Sequence, residues 1–468
     1  MKILNNGLIK FDYQFPLYNF FFPSQTLNAF RPNDAQLSTI FETANNKASS
    51  RALYFHIPFC EAICSFCPFT RGLYRNSEEI DRYTEALIKE IEYKSRLMDL
   101  RKIPIRAIFF GGGTPSLLSP QNINDIGEAL HRYFDMSHIE EFSFEFHITS
   151  VTKERNTALA DIGVTHARFG LQTVDPVWRK LFNLNQDITE IERAAEKLVP
   201  SFKHVLCDIL YGMNGSNEIQ TLTDIDKAVE LGVTNIDIYP INNVVTSLKL
   251  HRQIREHTKE IFPAMRKLNM KLMIDEHMRQ KGYIPYNGHG YVRQNQISEK
   301  LFAADYSFIY HEHVYGYADH DVLGFGVGAI SSLAENVITN TSLRDKYVNR
   351  MGSAKYECNV SQHAPVLDSV KPIVLRLPYH GKIEKDRIAF SQIPNGLITK
   401  LEEIVRAGLA DETERHYELT KLGWLWYSNI MFYLCPQNEQ NFLKQLVFEK
   451  LSANGRDITT EEIIYSSV

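Results

Sequence analysis

The 468-residue sequence has no surplus of basic charge: 51 Lys and Arg stand against 56 Asp and Glu, and the net charge is −5. A chain that grips nucleic acid by its phosphates needs a basic surface, so nucleic acid is excluded as the expected partner. No stretch approaches the roughly 18 consecutive apolar residues that a bilayer span requires. Near the N-terminus, Phe20, Phe21 and Phe22 follow Asp12, Pro16 and Asn19, and no small-residue cleavage site comes after them. The expectation is a cytoplasmic protein with no membrane span. Cysteine is scarce, six residues in all, too few for a disulfide framework in a chain this long. What is present, 44% hydrophobic and 23% charged residues, suits a globular chain with one large core and smaller attachments.

The cysteines are unevenly placed. Cys207, Cys358 and Cys435 stand alone and read as small buried hydrophobes. Cys60, Cys64 and Cys67 lie together, and clustered thiols in a reducing compartment point to a metal.

From Ala52 to about Pro240 short apolar runs alternate with longer amphipathic ones. The runs Ala52–His56, Ile105–Phe110, Phe142–Phe146, Ala167–Leu171, His204–Ile209 and Asn235–Tyr239 are nearly continuous in apolar residues, as strands buried on both faces should be. Stretches such as Glu78–Leu97 and Asn122–Tyr133 have helical periodicity. The alternation predicts an α/β fold with a parallel sheet and right-handed crossovers, a partial (β/α)6 barrel. Leu159-Ala-Asp-Ile-Gly163-Val-Thr165 and Ala228-Val-Glu-Leu-Gly232-Val-Thr234 repeat one device, a helix closed by glycine before a strand.

Beyond Lys249 a helical pattern runs to about Leu268, then Gly282 to Tyr317 is crowded with aromatics and histidines, His289, His311 and His313 among them. Histidines in a loop-rich segment near the barrel mouth are candidates for substrate binding or proton transfer, with exposed loop positions as the alternative. A helical stretch Leu397–Ala407, a short run Tyr417–Thr420 and an aromatic helix Trp424–Tyr433 suggest a small, mainly helical or winged-helix-like C-terminal domain. The expected organisation is an N-terminal extension over 1–50, the barrel over 51–300, a closing segment with a glycine-rich loop over 301–373, and the C-terminal domain over 374–468.

The chemistry is concentrated in Leu53-Tyr-Phe-His-Ile-Pro-Phe-Cys60-Glu-Ala-Ile-Cys64-Ser-Phe-Cys67-Pro-Phe69, where C-x3-C-x2-C follows directly on the first strand. Loops at the C-terminal ends of barrel strands carry active sites. Three thiolates hold three corners of a [4Fe–4S] cubane and leave the fourth iron open to a small molecule. S-adenosylmethionine (SAM) suits that corner, because its amino and carboxylate groups can chelate iron while its sulfonium accepts an electron. The alternative is zinc held by the three thiolates and His56, although zinc sites come as two separated halves and no second half is present.

This loop, with Phe66 before its last cysteine, resembles the signature of the radical SAM superfamily. Leu53-Tyr-Phe-His-Ile-Pro-Phe-Cys60 is similar to the branch of oxygen-independent coproporphyrinogen III oxidase. Phe109-Phe-Gly111-Gly-Gly-Thr-Pro-Ser116, Phe144-Glu145, Gly170-Leu-Gln172, Asp208-Ile-Leu-Tyr-Gly212, Leu323-Gly-Phe-Gly-Val-Gly-Ala-Ile-Ser331 and Leu419-Thr-Lys-Leu-Gly423 match that branch in order.

The resemblance implies that Cys60, Cys64 and Cys67 hold the cluster. It places Gly111, Gly112, Gly113 and Thr114 at the methionyl end of SAM, and Glu145, Gln172 and Asp208 against its ribose and methionyl parts. Tyr54 and Phe66 lie nearby, and Ala329 and Ile330 touch a second SAM through backbone. An electron donor such as flavodoxin or ferredoxin is implied, with a small-molecule substrate. The sequence departs from the oxidase twice: Phe69 stands where the oxidase has a fourth cysteine, and the arginine expected downstream of Gln172 falls near Leu184, with Arg179 and Lys180 just before it. The expected activity is therefore radical SAM chemistry with two SAM molecules, a methyl or methylene transfer to a porphyrin-like or other conjugated molecule. Oxidase-type decarboxylation and haem chaperoning are the alternatives.

Overall fold

A computed structural model describes residues 29–213, 217–241, 264–294 and 306–453, together with isolated positions elsewhere. All six expected strands are present: β1 (Ser50–Ile57), β2 (Ile105–Gly112), β3 (Glu141–Phe146), β4 (His166–Gln172), β5 (His204–Tyr211) and β6 (Asn235–Pro240). They pair in parallel, in sequence order. Six further strands complete the sheet: β7 (Tyr283–Pro285), β8 (Gly290–Arg293), β9 (His320–Phe325), β10 (Ile330–Leu333), β11 (Asn336–Asn340) and β12 (Cys358–Gln362). The order across the sheet is β7-β8-β6-β5-β4-β3-β2-β1-β9-β10-β11-β12.

The addition that matters is β9. It lies parallel to β1, with Leu323 opposite Leu53 and Phe325 opposite Phe55, so seven strands run in parallel, one more than expected. The glycine-rich run is thus partly strand. Gly324 admits the close crossing of β10, since a Cβ there would stand 2.5 Å from the Ile330 carbonyl oxygen.

The alternation of side chains along β1 sets inside and outside. Phe55 stacks on Phe110 of β2 and Phe325 of β9, with ring centroids 4.6 and 4.9 Å away, beneath the covering helices. Ala52 and Tyr54 face inward, where a short helix, Ile309–Val314, fills the barrel. The outer helices are amphipathic and capped: Asn76 caps Ser77–Leu97, and Ser119 opens Pro120–Tyr133 with a reciprocal box. Gly163 and Gly232 both have positive φ, 94° and 76°, the left-handed helix closure their shared sequence predicts.

A second core gathers Ile373–Leu377, Leu397, Leu401, Trp424 and Tyr427–Cys435 around a three-stranded antiparallel sheet of Lys382–Glu384, His416–Leu419 and Ala410–Glu412. The expected Trp424–Tyr433 helix is two helices, Lys421–Leu425 and Tyr427–Leu434, interrupted at Trp426. The N-terminal stretch serves both cores. Helix Asp34–Lys47 packs Leu37, Ile40 and Phe41 on the barrel, whereas Phe15 stacks on Phe432 at 4.2 Å. Much of the helical pattern expected from Lys249 lies outside the described residues; the described helix there is Ala264–Gln280. No helix among the described residues is long and apolar enough to cross a membrane.

Candidate functional site

The cysteine loop leaves the C-terminal end of β1 and is tied at its base. Phe59–Cys60 pairs with Gly72–Leu73, and the Gly72 N–H donates to the Pro58 carbonyl at 2.8 Å. Its far side docks on the helix after β4. Ser65 N–H donates to the Phe182 carbonyl at 3.0 Å, Asn183 Nδ2 donates to the Ile63 carbonyl at 3.0 Å, and Phe66 meets Phe182 edge-on at 5.1 Å. Phe66 therefore holds the loop to the barrel.

The three thiols share one loop, and burial outweighs the groups that favour their thiolates. Burial pushes Cys64 up to about 12, with repulsion from Cys67 and Cys60 adding to it. Burial likewise raises Cys60, against a hydrogen bond with the Thr114 hydroxyl, and raises Cys67, against the Phe69 backbone N–H. Such a group becomes a set of thiolates only with a strong cation among them, and iron fits this donor set. Among the described residues no three His, Cys, Asp or Glu side chains converge closely enough for a single metal ion. His56 is not a zinc ligand in waiting: its Nε2 donates to the Thr70 carbonyl at 2.7 Å and its Nδ1 meets the Tyr54 hydroxyl at 2.9 Å. Burial lowers its pKa, so the ring is neutral and this bonding fixes the tautomer.

The glycines after β2 are demanded by the protein's own backbone. A Cβ on Gly113 would stand 2.6 Å from the Phe59 carbonyl oxygen, and one on Gly112 (φ 115°) 2.6 Å from the His56 ring. Gly113 N–H donates to the Ile57 carbonyl at 2.7 Å, which seats Thr114 under Cys60.

Glu145 stands opposite Arg168 across β3 and β4, and Gly112 N–H approaches its carboxylate at 3.3 Å. Burial drives its pKa up to about 7; Arg168 opposes this and Asp208 reinforces it. Gln172 closes β4 at a bulge with φ 64°, a left-handed conformation unusual for a residue with a side chain. Asp208 is ion-paired with Arg168 at 3.0 Å, and the same guanidinium reaches Asp237 on β6 and the Tyr239 hydroxyl. Burial raises Asp208 despite Arg168. Arg168 and Asp237 were not among the expected site residues; a charge inside an otherwise apolar strand run is the signal that marks them.

Tyr54 is stacked in a row with Phe109 and Tyr310, centroids 6.2 and 6.0 Å from its own. His289 lies against Tyr239 at 4.1 Å and His311 against Tyr379 at 6.0 Å, both kept neutral by burial, His289 down to about 3 and His311 to about 4. They are interior rather than exposed loop residues. His313 is elsewhere: its Nε2 lies 2.6 Å from the Ser50 hydroxyl, at the opposite end of β1 from Cys60. Ala329 has both backbone groups engaged, its N–H with the Gly326 carbonyl at 3.3 Å and its carbonyl with Asn340 N–H at 3.0 Å, and Ile330 pairs with Thr339. Arg179 is spent as well, donating to the carbonyls of Leu171, Thr173 and Gln186 at 3.0, 2.9 and 2.6 Å.

Residues 54–228 match the radical SAM superfamily model. The anaerobilin synthase of Escherichia coli O157:H7 is 31% identical over 211 residues, 44% of this chain and 47% of that protein. A haem chaperone of Lactococcus lactis is 30% identical over 203 residues, 43% of this chain and 52% of that protein. The chain thus spans about half the length of these two relatives in the matched region. The solved Escherichia coli coproporphyrinogen III oxidase superposes with a TM-score of 0.71 at 18% identity, covering 86% of this chain and 93% of that one. Residues 54–228 thus carry a radical SAM domain, and the fold of the chain is that of the solved coproporphyrinogen III oxidase.

Proposed function

We propose that the chain is a radical SAM enzyme whose substrate is a tetrapyrrole or a similar flat conjugated molecule, and that it uses two SAM molecules to transfer a methyl or methylene group. The observation that carries the radical SAM reading is the grouping of Cys60, Cys64 and Cys67 at the end of β1 beside Glu145 and the Gly111–Thr114 turn. In this reading Cys60, Cys64 and Cys67 hold a [4Fe–4S] cluster, and Glu145, Gln172 and Asp208 line the SAM site. When bound, the two groups supply one-electron radical chemistry. The chain's part is to fix and to shield. Thr114 and the Phe69 N–H bond to the sulfurs of Cys60 and Cys67, which favours their thiolates. Phe66 seals one side of the loop, and Glu145 offers a carboxylate to a cationic ligand.

The substrate class rests on two supports. The relatives are named for a bilin, for haem and for coproporphyrinogen. A run of rings, Tyr54, Phe109, Tyr310 and His311 with Tyr379 of the second core, is suited to stacking on a flat π-system. Methyl or methylene transfer is favoured over decarboxylation by Phe69: it fills the fourth-cysteine position with a side chain that is 58% exposed and ligates nothing.

The test is anaerobic reconstitution with iron and sulfide, then reduction with dithionite in the presence of SAM and haem or coproporphyrinogen III. Both 5′-deoxyadenosine and S-adenosylhomocysteine are expected. Deoxyadenosine and carbon dioxide without S-adenosylhomocysteine would replace this reading with oxidase chemistry. Tight haem binding with neither product would replace it with the chaperone, and stoichiometric zinc in protein purified without air would remove the cluster itself.

A further inference from the structure

In the proposed reading the α-amino and α-carboxylate groups of SAM would meet the open iron, and the amino N–H and the remaining carboxylate oxygen ask for an anionic acceptor and a cation side by side. Glu145 supplies the anion. The neighbouring arginines are already committed: Arg155 Nε donates to the Leu118 carbonyl at 3.0 Å, Arg168 is held by Asp208 and Asp237, Arg179 by three carbonyls, and Arg344 by Glu79 at 2.7 Å.

Arg71 differs from all of these. Its Nη1 donates to the Phe69 carbonyl at 2.6 Å, while its Nε is buried and meets no acceptor among the described residues. Both of its chain neighbours are anchored. The Thr70 carbonyl is fixed by His56 Nε2 at 2.7 Å, and the Gly72 N–H by the Pro58 carbonyl at 2.8 Å. The arginine backbone is therefore held at the rim of the cysteine loop. Its charge acts on Cys60, Cys64 and Cys67 in the direction opposite to burial, and Glu145 acts on Cys60 and Cys67 from the other sign. Arg71 stands where the cysteine loop rejoins Pro58, and Glu145 lies beneath the glycine turn that seats Thr114 under Cys60. A buried guanidinium donor without an acceptor is an expensive arrangement unless a ligand completes it.

We infer that Arg71 binds the α-carboxylate of SAM, standing in for the arginine that the sequence lacks after Gln172, with Glu145 accepting a hydrogen bond from the α-amino group. Arg71 so becomes a ligand-binding residue particular to this loop, four positions beyond Cys67. A planar fork suits a carboxylate better than a point charge does, so lysine replaces it poorly.

This inference rests on the proposed cluster and SAM site, and the test separates the two. Reconstituted wild type, Arg71→Gln and Arg71→Lys are compared by visible absorbance for the cluster and by equilibrium dialysis for SAM and for decarboxylated SAM, which lacks the carboxylate. Arg71→Gln should keep the cluster and lose SAM affinity on the order of ten- to hundredfold. The same change should leave its affinity for the decarboxylated analogue, relative to wild type, nearly unaltered. Arg71→Lys should fall between the two. Unchanged SAM affinity in Arg71→Gln, or an equal loss for both ligands, overturns the assignment. If Arg71→Gln does not assemble the cluster, Arg71→Lys decides by the same ratio; if neither assembles it, Arg71 is a structural residue of the loop and the inference fails. A wild-type chain that takes up no iron refutes the cluster reading instead.

Discussion

The imidazole of His56 occupies the space that a side chain at Gly112 would need: a Cβ there would stand 2.6 Å from the ring. His56 in turn holds the Thr70 carbonyl at 2.7 Å, so the second strand's glycine and the far end of the cysteine loop are connected through one ring. Gly112→Ala should therefore displace His56 and loosen the loop, destabilising the protein by about 1–3 kcal/mol and reducing iron uptake on reconstitution. In a His56→Ala background the same change should be milder, because only the strain at φ 115° remains. Urea denaturation of the four proteins measures this; equal penalties in both backgrounds would show that the contact carries no energy.

Much of this was legible in the sequence. Strands buried on both faces leave apolar runs, and all six fell where those runs lie. The seventh strand did not announce itself. Its first two residues are His320 and Asp321, and its last turns lead through Gly324 into Gly326 and Gly328, the pattern of a loop. Asp321 is polar because it meets buried Arg51 at the bottom of the barrel, 2.6 Å away, and Gly324 is small because β10 crosses it. These are tertiary causes that no local pattern carries. The cysteine motif was readable from spacing alone. Arg71 was not, since nothing in the sequence says that Arg155, Arg168 and Arg179 are already engaged. The histidines misled because aromatic and polar composition suggested loops, whereas His289 is buried inside the barrel.

Glu145 titrates in the physiological range, with burial holding its pKa up to about 7. A cationic ligand group needs the carboxylate, so SAM affinity should fall as the pH drops below about 7 and hold steady above it. Glu145→Gln should weaken SAM binding by about 1.5–3 kcal/mol above pH 7 and abolish the pH dependence, with the cluster intact. Dialysis between pH 6 and 8 distinguishes the two proteins. A pH slope that persists in the variant would assign the titration to another group.

Glu141 provides a stability counterpart. It is 1% exposed, and burial raises its pKa from 4.5 to about 7 against bonds from Ser143 and the Tyr310 N–H. Because the folded pKa is raised, its contribution is fully present below the unfolded value and is lost as the pH rises through about 7. The shift corresponds to roughly 3 kcal/mol. Glu141→Gln should remove that loss, so the variant should gain on wild type by about this amount between pH 4.5 and 7.5. Denaturation across the range checks the sign, and a difference between the two proteins that does not vary with pH would contradict it.

The last prediction concerns what holds the glycine-rich turn after β9. Glu90, on helix Ser77–Leu97, is completely buried and gathers four donors. Lys94 and Asn340 reach one oxygen at 2.7 and 2.8 Å, and Gly326 N–H and the Tyr347 hydroxyl reach the other at 2.8 and 2.6 Å. Lys94 also donates to the Gly324 carbonyl at 2.6 Å, and Tyr83 accepts from Val327 N–H at 2.9 Å while donating to the His56 carbonyl. The network ties the covering helix to the turn and, through Tyr83, to the strand that bears the cysteines. Glu90→Gln removes the charge and turns an amide donor toward donors, leaving the Lys94 ammonium buried and unpaired. A loss of about 3–5 kcal/mol is expected, the amount typical of breaking a buried pair by removing one partner. Adding Lys94→Met should return part of it, since no stranded charge then remains. Amide hydrogen exchange at Gly326 and Val327 gives the local readout: both amides should exchange faster in Glu90→Gln, beyond what its global stability explains. Exchange that tracks global unfolding alone would show that Glu90 stabilises the domain without positioning the turn.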